Sequence, residues 1–326
     1  MRSLPYLLVL AAACGGRSSS QPDANNHPAD SQHPDSPSSI DASPDSPAQP
    51  SDGIAGALAS PDGTGLSLPI HHATVTYIKP QLGSMTNDPA GFTIQAQQTG
   101  PGLFVSVDPS TLSPAPVVGD VVDFTITQMG TVHMERRAQA VDSFTRVSQG
   151  ADVSALATDV SSATDLVSNI AAYDARVVNV TGTFADAPAS SGTGFQKLTL
   201  TTAGITGDTN LQLRAPATVI DANDMVATCQ IQAHAVPVSR FNNALEIGVY
   251  SASDFTLGSC PAPTVVSATA LSATSVRVTF SRNLDASTVM ADASQFTATG
   301  LTFSNPVVAG RTVTLTTTTQ TAGTDY

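Results

Sequence analysis

The chain has 326 residues, room for about two domains of ordinary size or three small ones. Only 12% of residues are Asp, Glu, Lys or Arg, acids outnumber bases 26 to 13, aromatics make up 5% and Trp is absent. These figures exclude a coiled coil rich in Glu, Lys and Leu, a multi-span membrane protein and a basic nucleic-acid binder, and leave an exported, mostly β protein with a polar unstructured stretch.

The chain opens with the short positive start Met1-Arg2-Ser3, followed by ten almost uniformly apolar residues, Leu4 to Ala13. Such a run is too short to span a bilayer, which takes about 20 residues, and it fits the apolar region of a signal peptide. It ends in Ala11-Ala12-Ala13-Cys14-Gly15, which resembles the lipobox of bacterial surface lipoproteins, although Ala11 stands where that family favours Leu. The resemblance implies a signal peptide over residues 1–14 and an acylated N-terminal Cys14 that contacts membrane lipid. With Gly15 rather than Asp after the Cys, it also implies sorting to the outer membrane. The other reading is an ordinary signal peptide cut after Ala13, leaving Cys14 as a spare thiol.

Residues 15–53 are almost devoid of apolar side chains and repeat Asp-Ser, Ser-Pro and Asp-Ala steps. This composition cannot bury enough surface to offset backbone ordering, so a disordered tether is expected. About 35 such residues span roughly 30 Å as a flexible coil and up to about 100 Å if extended. His27 and His33 lie within it, with nothing to fix them as a metal site.

From residue 54 the pattern changes to short β-branched runs. Ala73–Ile78, Phe92–Ala96 and Leu103–Val107 alternate, a Pro-rich turn follows at Ser113–Pro116, and two more strands are expected over Val117–Thr127 and near Thr131–Val147. Five strands in residues 54–150, with Gly119-Asp120-x-Val122 opening the fourth, resemble the OB-like barrels of bacterial secreted proteins, extracellular nucleases among them. Residues 151–260 repeat the arrangement. Strands are expected over Ala175–Phe184, Gln196–Thr202, Asn210–Arg214, Cys229–Val238 and Ala244–Val249, with a helical connection at Pro216–Thr228 and a hairpin at Asn242-Asn243. Asp152–Ala172 reads either as a short helix or as an extended connector.

With Cys14 assigned to lipid, Cys229 and Cys260 remain, and in an exported protein they are expected to pair. Two buried free thiols are the alternative. Beyond the Pro261-Ala262-Pro263 linker, residues 261–326 resemble a bacterial Ig-like domain of the S-layer (SbsA) type. The likeness rests on Ser275–Ser281 ending in Phe-Ser, on Asn283-Leu284-Asp285, and on Gly310-Arg311-Thr312-Val313-Thr314-Leu315. That family continues through Gly-x-x-Tyr into a closing strand, whereas here Gly323-Thr324-Asp325-Tyr326 is the last segment, so an Ig-like sandwich incomplete at its C-terminus is expected. The expected fold is thus all-β: a disordered N-terminal tether, tandem OB-like barrels and the incomplete Ig-like β-sandwich.

No GxSxG, HExxH, GxxxxGK or EF-hand spacing is present. Adjacent strand residues point to opposite faces, so His71-His72 are poorly placed to share a metal, and His133 and His234 read as isolated surface or hydrogen-bonded residues. No catalytic, cofactor or metal residues are assigned. Glu135-Arg136-Arg137 with Arg146 form the one local concentration of base, a small positive patch if the strand presents them together. Net charge is −4 over residues 1–53, −3 over 54–150, −6 over 151–260 and 0 beyond, so no nucleic-acid partner is expected. The reading is a non-enzymatic envelope lipoprotein whose β domains act as spacer or as binding platform for a surface protein or glycan. The alternative is the accessory N-terminal region of a secreted hydrolase, such as a nuclease, with its catalytic domain beyond residue 326.

Overall fold

The computed structural model describes residues 52–82 and 88–326. The expected signal peptide, Cys14 and nearly all of the polar stretch up to residue 53 lie outside the described residues. Within them the chain is nearly all β, with two OB-type barrels followed by a four-stranded antiparallel sheet.

The first barrel is entered through helix α1 (Ile54–Ala59), whose Ile54 and Ala57 are buried in the barrel core. Its strands are β1 (Gly63–Lys79), β2 (Gly91–Gln95), β3 (Gly102–Val105), β4 (Val121–Val132) and β5 (Glu135–Ser148). They close in the order β1-β2-β3-β5-β4, antiparallel throughout except for the parallel β3–β5 pair. Alternation drives this. In β4, Val122, Phe124 and Ile126 point inward to meet Ile70, Phe92, Ile94 and Leu103, and Phe92 lies edge-on to both Phe124 and Phe144. The turn between the fourth and fifth strands falls later in the chain than the sequence suggests, at the two residues His133-Met134, so that Thr131 and Val132 end β4 instead of opening β5. Both turn residues adopt left-handed φ (+51° and +68°) without a Gly or Asn to announce the turn. Gly119 (φ +85°) donates to the Val75 carbonyl, which fixes the loop ahead of β4.

The second barrel uses β7 (Val177–Phe184), β9 (Phe195–Thr202), β10 (Leu211–Pro216), β11 (Gln230–Phe241) and β12 (Ala244–Gly248) in the same ring order, with β11 returning to β7 and the third and fifth strands again parallel. Short β6 (Thr158–Asp159), β8 (Ala189–Ser190) and β13 (Phe255–Leu257) add to its edges, and helix α2 (Ala217–Ala222) occupies the expected connection. The hairpin at Asn242-Asn243 is present, with Phe241 opposite Ala244 and Asn242 in the left-handed region. The connector 152–172 holds two single helical turns, Val153–Leu156 and Ile170–Ala172, started by an Asp side chain in the first case only. Cys229 and Cys260 are disulfide-bonded, which ties the start of β11 to the segment leaving the barrel.

The remaining strands, β14 (Val265–Ser272), β15 (Ser275–Phe280), β16 (Phe303–Ala309) and β17 (Thr312–Thr317), form one antiparallel sheet in the order β14-β15-β17-β16. Its core is small: Val278, Val313 and Leu315 pack with Ala293, Leu284 and Phe296 from the crossing loop. Among the described residues no helix is long and apolar enough to cross a membrane.

Candidate functional site between the barrels

The two barrels dock through specific polar contacts. Gln95, fully buried at the end of β2, accepts from the Val177 N–H (3.0 Å) and donates to the Gln97 and Leu156 carbonyls. Arg176 donates to the Gln98 carbonyl at 2.8 Å, and the Tyr77 hydroxyl donates to Asp254 Oδ2 at 2.5 Å. Asp254 in turn accepts from the Tyr250 and Ser251 backbone N–H groups, so a residue of β1 is keyed into a backbone turn of the second barrel. Gly102 closes the junction by close approach: a Cβ there would lie 2.3 Å from the Ala175 carbonyl oxygen.

This docking encloses a cleft of about 550 Å³, lined from both barrels. Of the 13 Lys and Arg residues in the chain, five line it: Lys79, Arg137, Lys197, Arg214 and Arg240. Asp88, Glu135 and Glu246 are the carboxylates among its lining residues. One chain of pairs crosses the junction. Lys79 Nζ lies 2.5 Å from Asp88 Oδ1, Asp88 Oδ2 accepts from Arg214 Nη2 at 2.7 Å, and Arg214 Nε is 3.7 Å from Glu246 Oε2. Arg214 also donates to the Ser191 carbonyl and lies 3.8 Å above the Phe195 ring centroid. Burial opposes the charge on Asp88, but the Arg214 hydrogen bond and the Lys79 charge outweigh it and hold its carboxyl below the usual range. Burial lowers Lys79 and raises Glu246, in each case against an opposite charge that offsets it only in part.

The second charged group is less complete. Burial, together with the nearby Asp174 and Glu246 charges, raises the Glu135 carboxyl to about 7, although the Arg137 guanidinium and the Arg240 backbone N–H favour its charged form. Arg137 Nε is 3.9 Å from Glu135 Oε2, too far for a hydrogen bond, and has no hydrogen-bond partner. Asp174 is likewise raised to about 6 by burial, against Arg240, and its Oδ1 is unpartnered. At one rim the two hairpins touch, the Asn242 N–H donating to the His133 carbonyl at 2.7 Å. There the His133 ring lies 4.3 Å from that of Phe241, and His133 Nε2 is buried without a partner.

The structure redistributes the residues singled out by sequence. Glu135, Arg136, Arg137 and Arg146 do not form a patch. Alternation sends Glu135 and Arg137 into the cleft, Arg136 pairs with Asp62 at 3.2 Å, and Arg146 pairs with buried Asp120 at 2.7 Å. His133 is half-buried and lines the cleft, its Nε2 without a hydrogen-bond partner, whereas His234 is exposed on β11. His71 and His72 both approach Asp123, at 3.6 and 3.7 Å, because a bulge between Ile70 and Ala73 with left-handed His72 cancels the alternation. Among the described residues no group of three or more His, Cys, Asp or Glu is placed to hold a metal ion. Sequence reading missed the cleft altogether, since its residues come from nine strands and the loops between them, spread over residues 79–250.

No family model and no curated protein matches the chain. Solved structures similar to it include a p204 HINb domain (7% identity, TM-score 0.30, covering 61% of this chain and 98% of that one). Another is a murine DNA-binding protein bound to double-stranded DNA (9%, 0.33, 59% and 97%). A third is fission yeast Pot1 with single-stranded DNA (9%, 0.28, 63% and 87%). The expectation that the chain takes no nucleic acid is corrected here, because two of these three structures hold DNA. Its physical basis was also faulty: regional net charge averages over faces, and a region at −3 or −6 still contributes cations to one shared cleft.

Proposed function

We propose that the protein is a non-enzymatic binding protein of the bacterial cell envelope, held at the outer membrane through an acyl chain on Cys14 and recognising its ligand in the cleft between the barrels. The cleft carries this reading. Its walls are fixed before any ligand arrives, because Gln95, Arg176, Tyr77 and Gly102 lock the two barrels together, and a preorganised site loses little entropy on binding. Its charged groups are paired with one another in the manner of a recognition surface, Lys79 to Asp88 to Arg214 to Glu246, and its volume suits a small ligand or one segment of a larger one. Residues 15–53 then serve as the spacer that lifts the barrels off the membrane.

Cys14→Ser is expected to move the protein from the membrane to the soluble fraction, and persistent membrane attachment overturns the anchor. Ser191→Trp, at the exposed loop beside Arg214, is expected to fill the cleft. If native mass spectrometry finds the same co-purified ligand mass on this variant as on the wild type, the cleft is not the recognition element.

A further inference from the structure

We propose that the cleft, whose lining includes His133, Arg137 and Lys197, holds a site at Arg137 for an oxyanion group, a phosphate or carboxylate carried by the ligand. This deepens the reading of the cleft as recognition element and rests on it.

Most of the cations around the cavity are already spent. Lys79 bonds Asp88 and the Pro89 carbonyl, Arg214 bonds Asp88 and Ser191, and Arg240 donates to the Asn242 carbonyl. Arg137 and Lys197 are different. Arg137 is only 4% exposed, yet its Nε finds no acceptor, and Lys197 makes no ion pair within 4 Å among the described residues. Leaving a buried guanidinium N–H without an acceptor is costly, and native structures seldom tolerate it unless a ligand or ion supplies the missing oxygen. His133 Nε2 is likewise buried and unpartnered on the same cavity.

Charge selects the sign of the ligand. Glu135 is the carboxylate nearest Arg137, and it is faced by Arg137 on its own strand, Lys79 on β1 of the same barrel, Asp174 in the connector, Arg240 on β11, Glu246 on β12, and Tyr250 across the junction. Its burial favours the protonated form, which weakens the counter-charge on Arg137 beside that of Asp88 and leaves the unpartnered Nε–H to favour an anionic acceptor. The Phe104 ring, 5.9 Å from the guanidinium, bounds the site on an apolar side. A volume of about 550 Å³ matches a small-molecule site, so a compact ligand is the expected bearer of the group, with a phosphate on a polymer as the other source.

The test is calorimetric titration of the full chain with inorganic pyrophosphate at fixed ionic strength, with circular dichroism to check folding. One pyrophosphate per chain is expected. Arg137→Gln and Lys197→Gln are each expected to weaken it by about tenfold or more, the scale of a charge-assisted hydrogen bond. Arg277→Gln, exposed on the far sheet, is expected to leave it unchanged. If Arg137→Gln does not fold, Lys197→Gln alone decides. An oligodeoxynucleotide that displaces pyrophosphate and is weakened by the same substitutions assigns the group to a polymer. Absence of saturable binding by either probe, or equal binding by the folded variants, overturns the proposal. Such a failure with Ser191→Trp still losing its co-purified ligand rejects the oxyanion site and leaves the cleft reading standing.

Discussion

The molecule contains two junctions built on opposite plans. Between the barrels the connection is distributed: Gln95, Arg176, Tyr77 and Asp88 each bridge a different point, and backbone approaches backbone at Gly102. Between the second barrel and the third sheet it is concentrated on one buried carboxylate. Asp224 takes Arg282 Nε at 2.9 Å, Arg311 Nη2 at 2.7 Å and the Asn283 N–H at 3.1 Å. A distributed junction survives the loss of any one bond and can hold a cleft in shape, whereas a concentrated one fails with a single residue. The difference matches what the first region must do, since that junction frames a cavity.

Four perturbations break or sharpen this contrast, and the largest effect is expected at the concentrated junction. Removing the disulfide with Cys229→Ser and Cys260→Ser frees the segment that leads into the sheet. On the chain-entropy model a closed loop of 31 residues contributes roughly 3 to 4 kcal/mol, so thermal unfolding of the second barrel is expected to fall accordingly. Asp224→Ala leaves Arg282, 16% exposed, without its partner and is expected to cost on the order of 3 kcal/mol. That is the low end for a broken buried pair, because Arg311 remains half exposed. Hydrogen exchange should rise at residues 281–284 and 310–312 while the barrel amides stay protected.

Glu135→Gln probes the barrel junction and carries the opposite sign. A carboxyl raised from 4.5 to about 7 in the folded state binds more protons there than when unfolded, so stability declines as pH rises between those values. The neutral variant is expected to flatten that decline and to be more stable by about 3 kcal/mol above pH 7, measured by denaturant titration across pH. Gln95→Ala is expected to have the smallest effect, about 1 to 3 kcal/mol for the groups it leaves unsatisfied, with the barrels still docked. Loss of docking in that variant would show that the junction is not distributed after all.

The barrels were legible because alternation and turn residues are local signals. Phe92, Ile94, Val122 and Phe124 announce their inward faces by spacing alone, and Asn242-Asn243 marks its hairpin. What local signals could not show is convergence. Arg137 and Lys197 are 60 positions apart, and nothing in either neighbourhood says that ring closure of two barrels brings them to one cavity. The His133-Met134 turn was missed for the reverse reason, since it lacks the Gly, Asn or Asp that usually marks such a turn and is held by the opposing hairpin through Asn242. The expected positive patch failed because it counted charges along a strand without assigning them to faces.

The close approach of Gly102 to Ala175 has a bearing on how this chain tolerates sequence change. Where a junction is set by side chains, drift at either surface gradually re-aims the partners. Here the separation at the junction is set by a main-chain carbonyl resting where a methyl group would otherwise stand, so a changed side chain at a neighbouring position leaves that spacing as it is. The lack of a side chain at one position thereby acts as a gauge block for the cleft.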